Sequence, residues 1–268
     1  MDPVHAGGLP HDDPPVTVST REDEAAPPHR PPRIVITNDD GIDAPGLAAL
    51  YLAAEGLGER VVVAPDGPRS GAGHSVTTHE PVRVAAVREG WYSVGGTPAD
   101  CSRIALTCIA PDAAWVLAGI NRGGNLGADT YISGTVAAAR EATFLGRRAI
   151  ALSQYLRPDL EVDWEWTLRQ SSIILRSLMA APQRPSAFWN VNFPHLLPGS
   201  RTPEPVFCRL DICPLDVRFR VDRPLDDPGA HAHFTGNYHG RQRNPGRDVE
   251  VCFGGSIAIT EIPLDLEG

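Results

Sequence analysis

A strand, a turn, a helix and a second strand follow one another between residues 33 and 68, and this order constrains the fold more than any other feature. Arg33-Ile34-Val35-Ile36-Thr37 is a short apolar run that stops at the turn-forming Asn38-Asp39-Asp40-Gly41. Pro45 then opens a helix expected to reach about Leu57, with proline at a first-turn position where its missing N–H leaves no bond unmade. Arg60-Val61-Val62-Val63-Ala64 repeats the apolar run and ends in a second turn, Pro65-Asp66-Gly67-Pro68. Apolar strands joined through a helix pair in parallel and are covered on both faces. The fold class is therefore α/β with a mostly parallel sheet.

The same alternation continues. Residues 81–95 read as an antiparallel hairpin, 98–109 as a helix opened by Pro98, 113–118 as a strand, 134–146 as a helix and 148–153 as a strand. A long amphipathic helix is expected over 162–180, a strand over 188–193 stopped by Pro194, and strand character over 249–262, centred on 256–260. Between them, 196–247 is rich in proline and glycine and has little periodicity, so it reads as an irregular arm that docks on a neighbouring subunit. Residues 1–32 carry six acidic residues against Arg21 and Arg30 together with three Pro-Pro pairs. Such a stretch buries too little to offset its ordering entropy and reads as a disordered tail before a domain spanning 33–268.

Composition removes whole classes of chemistry. The chain has a net charge of −9, which argues against nucleic acid or a membrane surface as partner. It contains no lysine, all 24 basic residues being arginine, so P-loop and Schiff-base mechanisms are excluded. Phosphate recognition would have to use arginine, backbone N–H groups, hydroxyls or a metal ion. Five cysteines without a Cys-x-x-Cys pair fit reduced thiols in a cytoplasmic protein. Neither a secretory signal pattern nor an apolar run of membrane-spanning length is present.

Ligands of open parallel sheets sit beyond the carboxyl ends of the strands. Three polar turns fall there: Asn38 to Gly41, Asp66 to His74, and Gly119 to Asn125. Asp39 and Asp40 repel each other unless a cation lies beside them, and an oxygen-rich turn suits Mg²⁺ or Mn²⁺; a helix or turn cap is the other reading. Ser133-Gly134-Thr135 precedes a helix and serves equally as an anion site or as an N-cap. His74 reads as a proton donor to a leaving alkoxide or as a structural hydrogen-bonding residue. Arg122 reads as a phosphate contact or a surface arginine, Asp100 as a helix-dipole partner, and His231 with His233 as a pair of imidazoles on one strand face.

Five ordered segments resemble the SurE family. They are Thr37 to Gly46; Ala64 to Asp66 with Arg69 to Thr77; Gly96 to Cys101; Ala118 to Asn121 with Asn125 to Gly127; and Ser133 to Ala139. The match spans 33–153, with weaker echoes at 189–194 and 248–260. This resemblance implies a Rossmann-like three-layer core with an extended arm or hairpin near the C-terminus, in a homodimer or homotetramer. It further implies a phosphatase acting on nucleoside 5′- and 3′-monophosphates, in some members also on polyphosphate. One Mg²⁺ or Mn²⁺ per subunit would be held by Asp39, Asp40, Ser70 and Asn121, with Asp39 and Asp40 catalytic. Asn38, Asn125, Ser133, Gly134 and Thr135 would face the phosphate.

The chain departs from the family pattern at Ile132, where a tyrosine is usual, at Ala142, and at Arg247-Asp248 and Thr260-Glu261. A metal- and nucleotide-binding sensor without turnover is the alternative from another class. An aspartyl-phosphate phosphatase also begins strand-then-Asp, but position 41 is glycine, so the Asp-x-Asp pair of that class is missing.

Overall fold

The structure is a computed structural model, described over residues 31–264 apart from positions 198 and 216. Its principal sheet has nine strands. They are β1 (Arg33–Thr37), β2 (Glu59–Pro65), β3 (Val84–Arg88), β4 (Trp91–Val94), β5 (Trp115–Arg122), β6 (Arg148–Gln154), β7 (Ala187–Phe193), β8 (Pro205–Phe207) and, after a separate hairpin, β11 (Ile257–Pro263). The hairpin pairs β9 (Phe219–Val221) with β10 (Ala232–Phe234). Strand order is β3-β4-β2-β1-β5-β6-β7-β11-β8, and the run from β4 to β7 is parallel throughout. The hairpin expected over 81–95 is β3–β4, antiparallel with a bulge at its closed end.

Alternate residues of each strand serve opposite faces, which makes two cores. Ile34, Ile36, Leu117, Ile150 and Leu152 pack under α1 (Pro45–Ala53) and α4 (Trp164–Ala180), through Leu47, Leu50, Ile174, Leu175 and Leu178. Val35, Val61, Val63, Val116 and Ala151 pack under α2 (Pro98–Ile104) and α3 (Gly134–Phe144), whose buried face is Val136, Ala138, Ala139 and Ala142. Small side chains let α3 lie close to the sheet. The architecture is the expected three-layer, Rossmann-like α/β core.

Topology fixes where a ligand can sit. From β1 the chain builds outward through β2 to β4, then crosses back to the other side of β1 as β5 and builds on through β6 and β7. The carboxyl ends of β1 and β5 therefore diverge at the switch of direction, the place where open α/β sheets hold ligands. Gly46 is required at this point, since a Cβ there would come within 2.0 Å of the Ile120 carbonyl oxygen at the end of β5.

Several elements differ from the sequence expectation. The helix expected over 98–109 is α-helical to Ile104 and then widens into a π-helical turn, Ala105–Ile109, closed by Ala110 N–H donating to Ala105 O at 2.7 Å. The stretch 196–247 is not wholly irregular: β8 joins the main sheet beside β11, and β9 with β10 makes the hairpin. A short helix, α5 (Asp248–Phe253), stands where only strand character was expected. Nearly all of the tail expected over 1–32 lies outside the described residues.

Asp100 joins α2 to the 66–77 loop. Its carboxylate accepts from Thr77 N–H and hydroxyl, both at 2.8 Å, and from Thr97 N–H at 3.0 Å, completing a capping box with Thr97. Burial raises its pKa, but these donors outweigh it and hold the carboxyl below the ordinary 3.8. A depressed folded-state pKa contributes stability above 3.8 that is lost as pH falls through the lowered value. Asp100→Asn removes the charge and turns a donor toward N–H groups, so it should cost about 2–3 kcal/mol at pH 7. In urea titrations the gap between wild type and variant should narrow below pH 3.8; a gap independent of pH would refute the assignment.

Candidate active site

The first polar turn ends β1, and its geometry is set by short-range bonds. Asn38 is buried and donates its amide to Gly41 O at 2.8 Å, holding the turn that presents Asp39 and Asp40. Asp39 lies within this turn, only 5% exposed, while Asp40 is half-buried. Thr135 at the start of α3 donates its hydroxyl to Asp39, and Gly134 packs so closely that a Cβ there would sit 2.9 Å from Asp39 Cβ. Asp39 thus occupies the positive end of α3. Asp40 accepts from Arg122 N–H at 3.0 Å, linking the turn to the end of β5.

Burial is the largest influence on Asp39. Desolvation, with the neighbouring charge of Asp40 adding to it, pushes its pKa up to about 6 despite the Thr135 hydrogen bond. Among the described residues no basic side chain forms an ion pair with this carboxylate, and none is among the main influences on it. A buried acid beside a second acid, without an internal cation, is a site that favours an added one.

The other polar turns converge on the same place. A cavity of about 480 Å³ is lined by Asp39, Asp40, Ser70, Asn121, Asn125 and Ser133 among others. Ser70 is exposed on the loop after β2, whose backbone is tied to the first turn by Arg69 N–H donating to Asp39 O at 2.7 Å. Asn121 gives its amide N–H to Gly123 O at 2.8 Å, which leaves its side-chain oxygen as an acceptor. Asn125 is held by several bonds: its N–H donates to Asn192 Oδ1 at 2.8 Å, its side-chain amide to Ser153 Oγ at 2.8 Å, and its carbonyl accepts from Asn190 and Asn192. Ser133 caps α3, accepting from Val136 N–H at 3.1 Å, and also lines the cavity.

The structure therefore brings together six of the nine residues singled out from sequence. Asn38, Gly134 and Thr135 are not on the cavity wall; they orient Asp39 from behind. Nor does His74 line it, because its ring is bonded to Glu141 at 2.7 Å. His231 and His233 both face Asp222 on the hairpin.

The remaining wall was not anticipated. Ile132, Leu215, Val217 and Phe234 supply apolar lining, and Tyr238 and Arg241 also line the cavity. Arg241 is buried and pairs with Asp129 at 2.8 Å, while Tyr238 hydroxyl donates to the same carboxylate oxygen at 3.1 Å. Burial, with the Asp129 charge adding, pushes the Tyr238 phenol far up, so it stays neutral. A second cleft of about 400 Å³ near α4 is lined by Glu161, Asp163 and His195, whose ring accepts from Arg157 N–H and contacts Glu161 O.

The residues fit a hard divalent cation. Among the described residues no three His, Cys, Asp or Glu side chains gather to hold a metal ion. The donors here are instead two carboxylates, a hydroxyl and an amide oxygen, the oxygen set that Mg²⁺ and Mn²⁺ take.

Comparison with known proteins agrees with this arrangement of fold and turns. The family model "Survival protein SurE" matches residues 34–214. A putative 5′-nucleotidase of Nostoc sp. is 47% identical over 229 residues, covering 85% of this chain and 98% of the relative. The 5′-nucleotidase SurE of Paramagnetospirillum magneticum is 40% identical over 243 residues, covering 87% and 90%. The crystal structure of the SurE protein from Aquifex aeolicus superposes with a TM-score of 0.77 at 32% identity, covering 88% of this chain and 95% of that one. With its motifs, topology and relatives in accord, the chain belongs to the SurE family.

Proposed function

We propose that this chain is a divalent-cation-dependent 5′-nucleotidase that hydrolyses nucleoside monophosphates to nucleoside and phosphate. The carrying observation is Asp39, buried beside Asp40 with no basic ion-pair partner among the described residues, at the β1–β5 switch point, in a cavity that also presents hydroxyl and amide groups. The relatives named 5′-nucleotidase support the substrate class.

Asp39, Asp40, Ser70 and Asn121 would hold one Mg²⁺ or Mn²⁺. Bound there, such an ion supplies polarisation of the phosphoryl group and activation of water. Asn125 and Ser133 would donate hydrogen bonds to phosphate oxygens as charge builds on them in the transition state. Arg122, at the exposed rim, adds positive charge along the approach. Ile132, Leu215, Val217 and Phe234 offer an apolar surface of the kind a nucleobase stacks on. Hydrolysis of 3′-monophosphates and of polyphosphate belongs to the same proposal, since both present a terminal phosphoryl group to the same donors.

We further propose a homodimer or homotetramer joined through the 196–247 arm. Ile212, Phe219, Leu225 and Phe234 of this segment are exposed, and such a concentration of apolar side chains favours coverage by a second copy. A cytoplasmic location is consistent with five unpaired cysteines and with the lack, among the described residues, of a helix long and apolar enough to cross a membrane.

Two outcomes follow. Hydrolysis of 5′-AMP should vanish with EDTA and return with Mn²⁺ or Mg²⁺, and Asp40→Asn should lower it by at least roughly 100-fold. Melting of the metal-free variant should stay level or rise slightly, because Asp39 loses a like-charged neighbour. An active variant that melts several degrees lower without metal would make Asp40 a structural cap. Separately, light scattering at micromolar concentration should report a dimer or larger species; a monomer would refute the arm's role.

A further inference from the structure

Ser70 sits on the loop after β2, where Ala72 N–H donates to Arg69 O at 3.2 Å, Ser75 Oγ to Ala72 O at 2.8 Å and Thr97 Oγ1 to Ser75 O at 2.7 Å. Both ends of its loop are fixed: Arg69 N–H donates to Asp39 O at 2.7 Å, and Thr77 is bonded twice to Asp100. Between them run Gly71-Ala72-Gly73, where both glycines adopt left-handed backbone (φ +76° and +59°) and a Cβ on either would meet nothing within 4 Å. Glycine flanked by open space leaves the backbone free to move. Directly after them comes His74, whose side chain ties this middle stretch to the core.

That tie is built from buried parts. Glu141, on the inner face of α3, is 4% exposed and uses both carboxylate oxygens: Oε2 contacts His74 Nε2 at 2.7 Å, and Oε1 accepts from Arg103 Nε at 2.6 Å. The other ring nitrogen, Nδ1, faces Arg140 Nη1 at 3.4 Å. Arginine only donates, so Nδ1 is the acceptor, and Nε2 carries the hydrogen given to Glu141. The ring also stacks on Phe144 with centroids 6.0 Å apart. His74 is thereby fixed in orientation, and its anchors lie on the helix that begins with Ser133, Gly134 and Thr135.

We propose that His74, gripped by Glu141, is a positioning residue that holds the Ser70 hydroxyl in line with Asp39, Asp40 and Asn121. This rests on the reading of those four groups as the cation's ligands. Through one carboxylate, α3 sets both sides of the site: its N-terminal turn orients Asp39, and Glu141 two turns on restrains the loop that carries Ser70. Arg103 keeps Glu141 paired when the imidazole is removed, so the buried charge is not orphaned and His74 can be replaced without collapse of the helix.

The test uses the full chain with His74→Ala and His74→Gln, the latter able to donate one amide N–H to Glu141. Two quantities are measured: hydrogen exchange of peptides covering 68–77 without metal, and Mn²⁺ affinity by calorimetry. His74→Ala should speed exchange in 68–77 while leaving β1 and α3 peptides unchanged. It should also weaken Mn²⁺ binding by about tenfold or more, the usual effect of losing a group that orients a ligand. His74→Gln should recover most of that affinity. Wild-type exchange and affinity in His74→Ala would overturn the proposal, as would faster exchange spread evenly over β1, α2 and α3, or no recovery in His74→Gln. Should the wild type itself bind no Mn²⁺, the ligand reading fails and the proposal with it; if it binds and His74→Ala binds equally, the latch alone fails.

Discussion

Asp39 lies in a turn where a carboxylate is costly, beside a second carboxylate and shielded from water. Burial of an acid without a basic partner is ordinarily selected against, and here it drives the acid's pKa up to about 6. Much of the surrounding structure is arranged around that one group. Asn38 shapes the turn, Thr135 donates to the carboxylate, and Gly134 is the residue that lets α3 come this close.

The sheet explains why this happens at the end of β1. Its strand order reverses between β1 and β5, so their following turns splay apart and leave a crevice floored by backbone. Asp40 bonds to Arg122 N–H across that crevice, and the Asn125 turn is pinned from β6 and β7 by Ser153, Asn190 and Asn192. Four strands thus hold the polar end rigidly. The apolar lining, Ile132, Leu215, Val217 and Phe234, comes from a loop and the arm.

Much of this was legible from sequence, for a physical reason. Buried strands such as Val61 to Ala64 advertise themselves as apolar runs, and local pattern locates the polar turns that follow them, whereas Ser70, Asn121 and Asn125 were singled out within those turns only by their likeness to the SurE motifs. Roles were harder to read than places. Thr135 and Asn38 stand within the motif, yet whether a side chain faces ligand or another residue depends on tertiary packing. α5 was hidden because Val249 and Val251 alternate with polar residues as a strand would. The wall formed by Leu215, Phe234, Tyr238 and Arg241 was invisible, since its segment has no period and is brought in by Arg241 pairing with Asp129, 112 positions away.

Every role proposed for these side chains depends on one location for the cation. Crystals soaked in Mn²⁺ and measured near the manganese absorption edge would show it directly in an anomalous difference map. One peak per chain is expected between the carboxylates of Asp39 and Asp40, within coordination distance of Ser70 Oγ and Asn121 Oδ1. No peak there, or occupancy only at another site such as the His231–His233 hairpin, would contradict it.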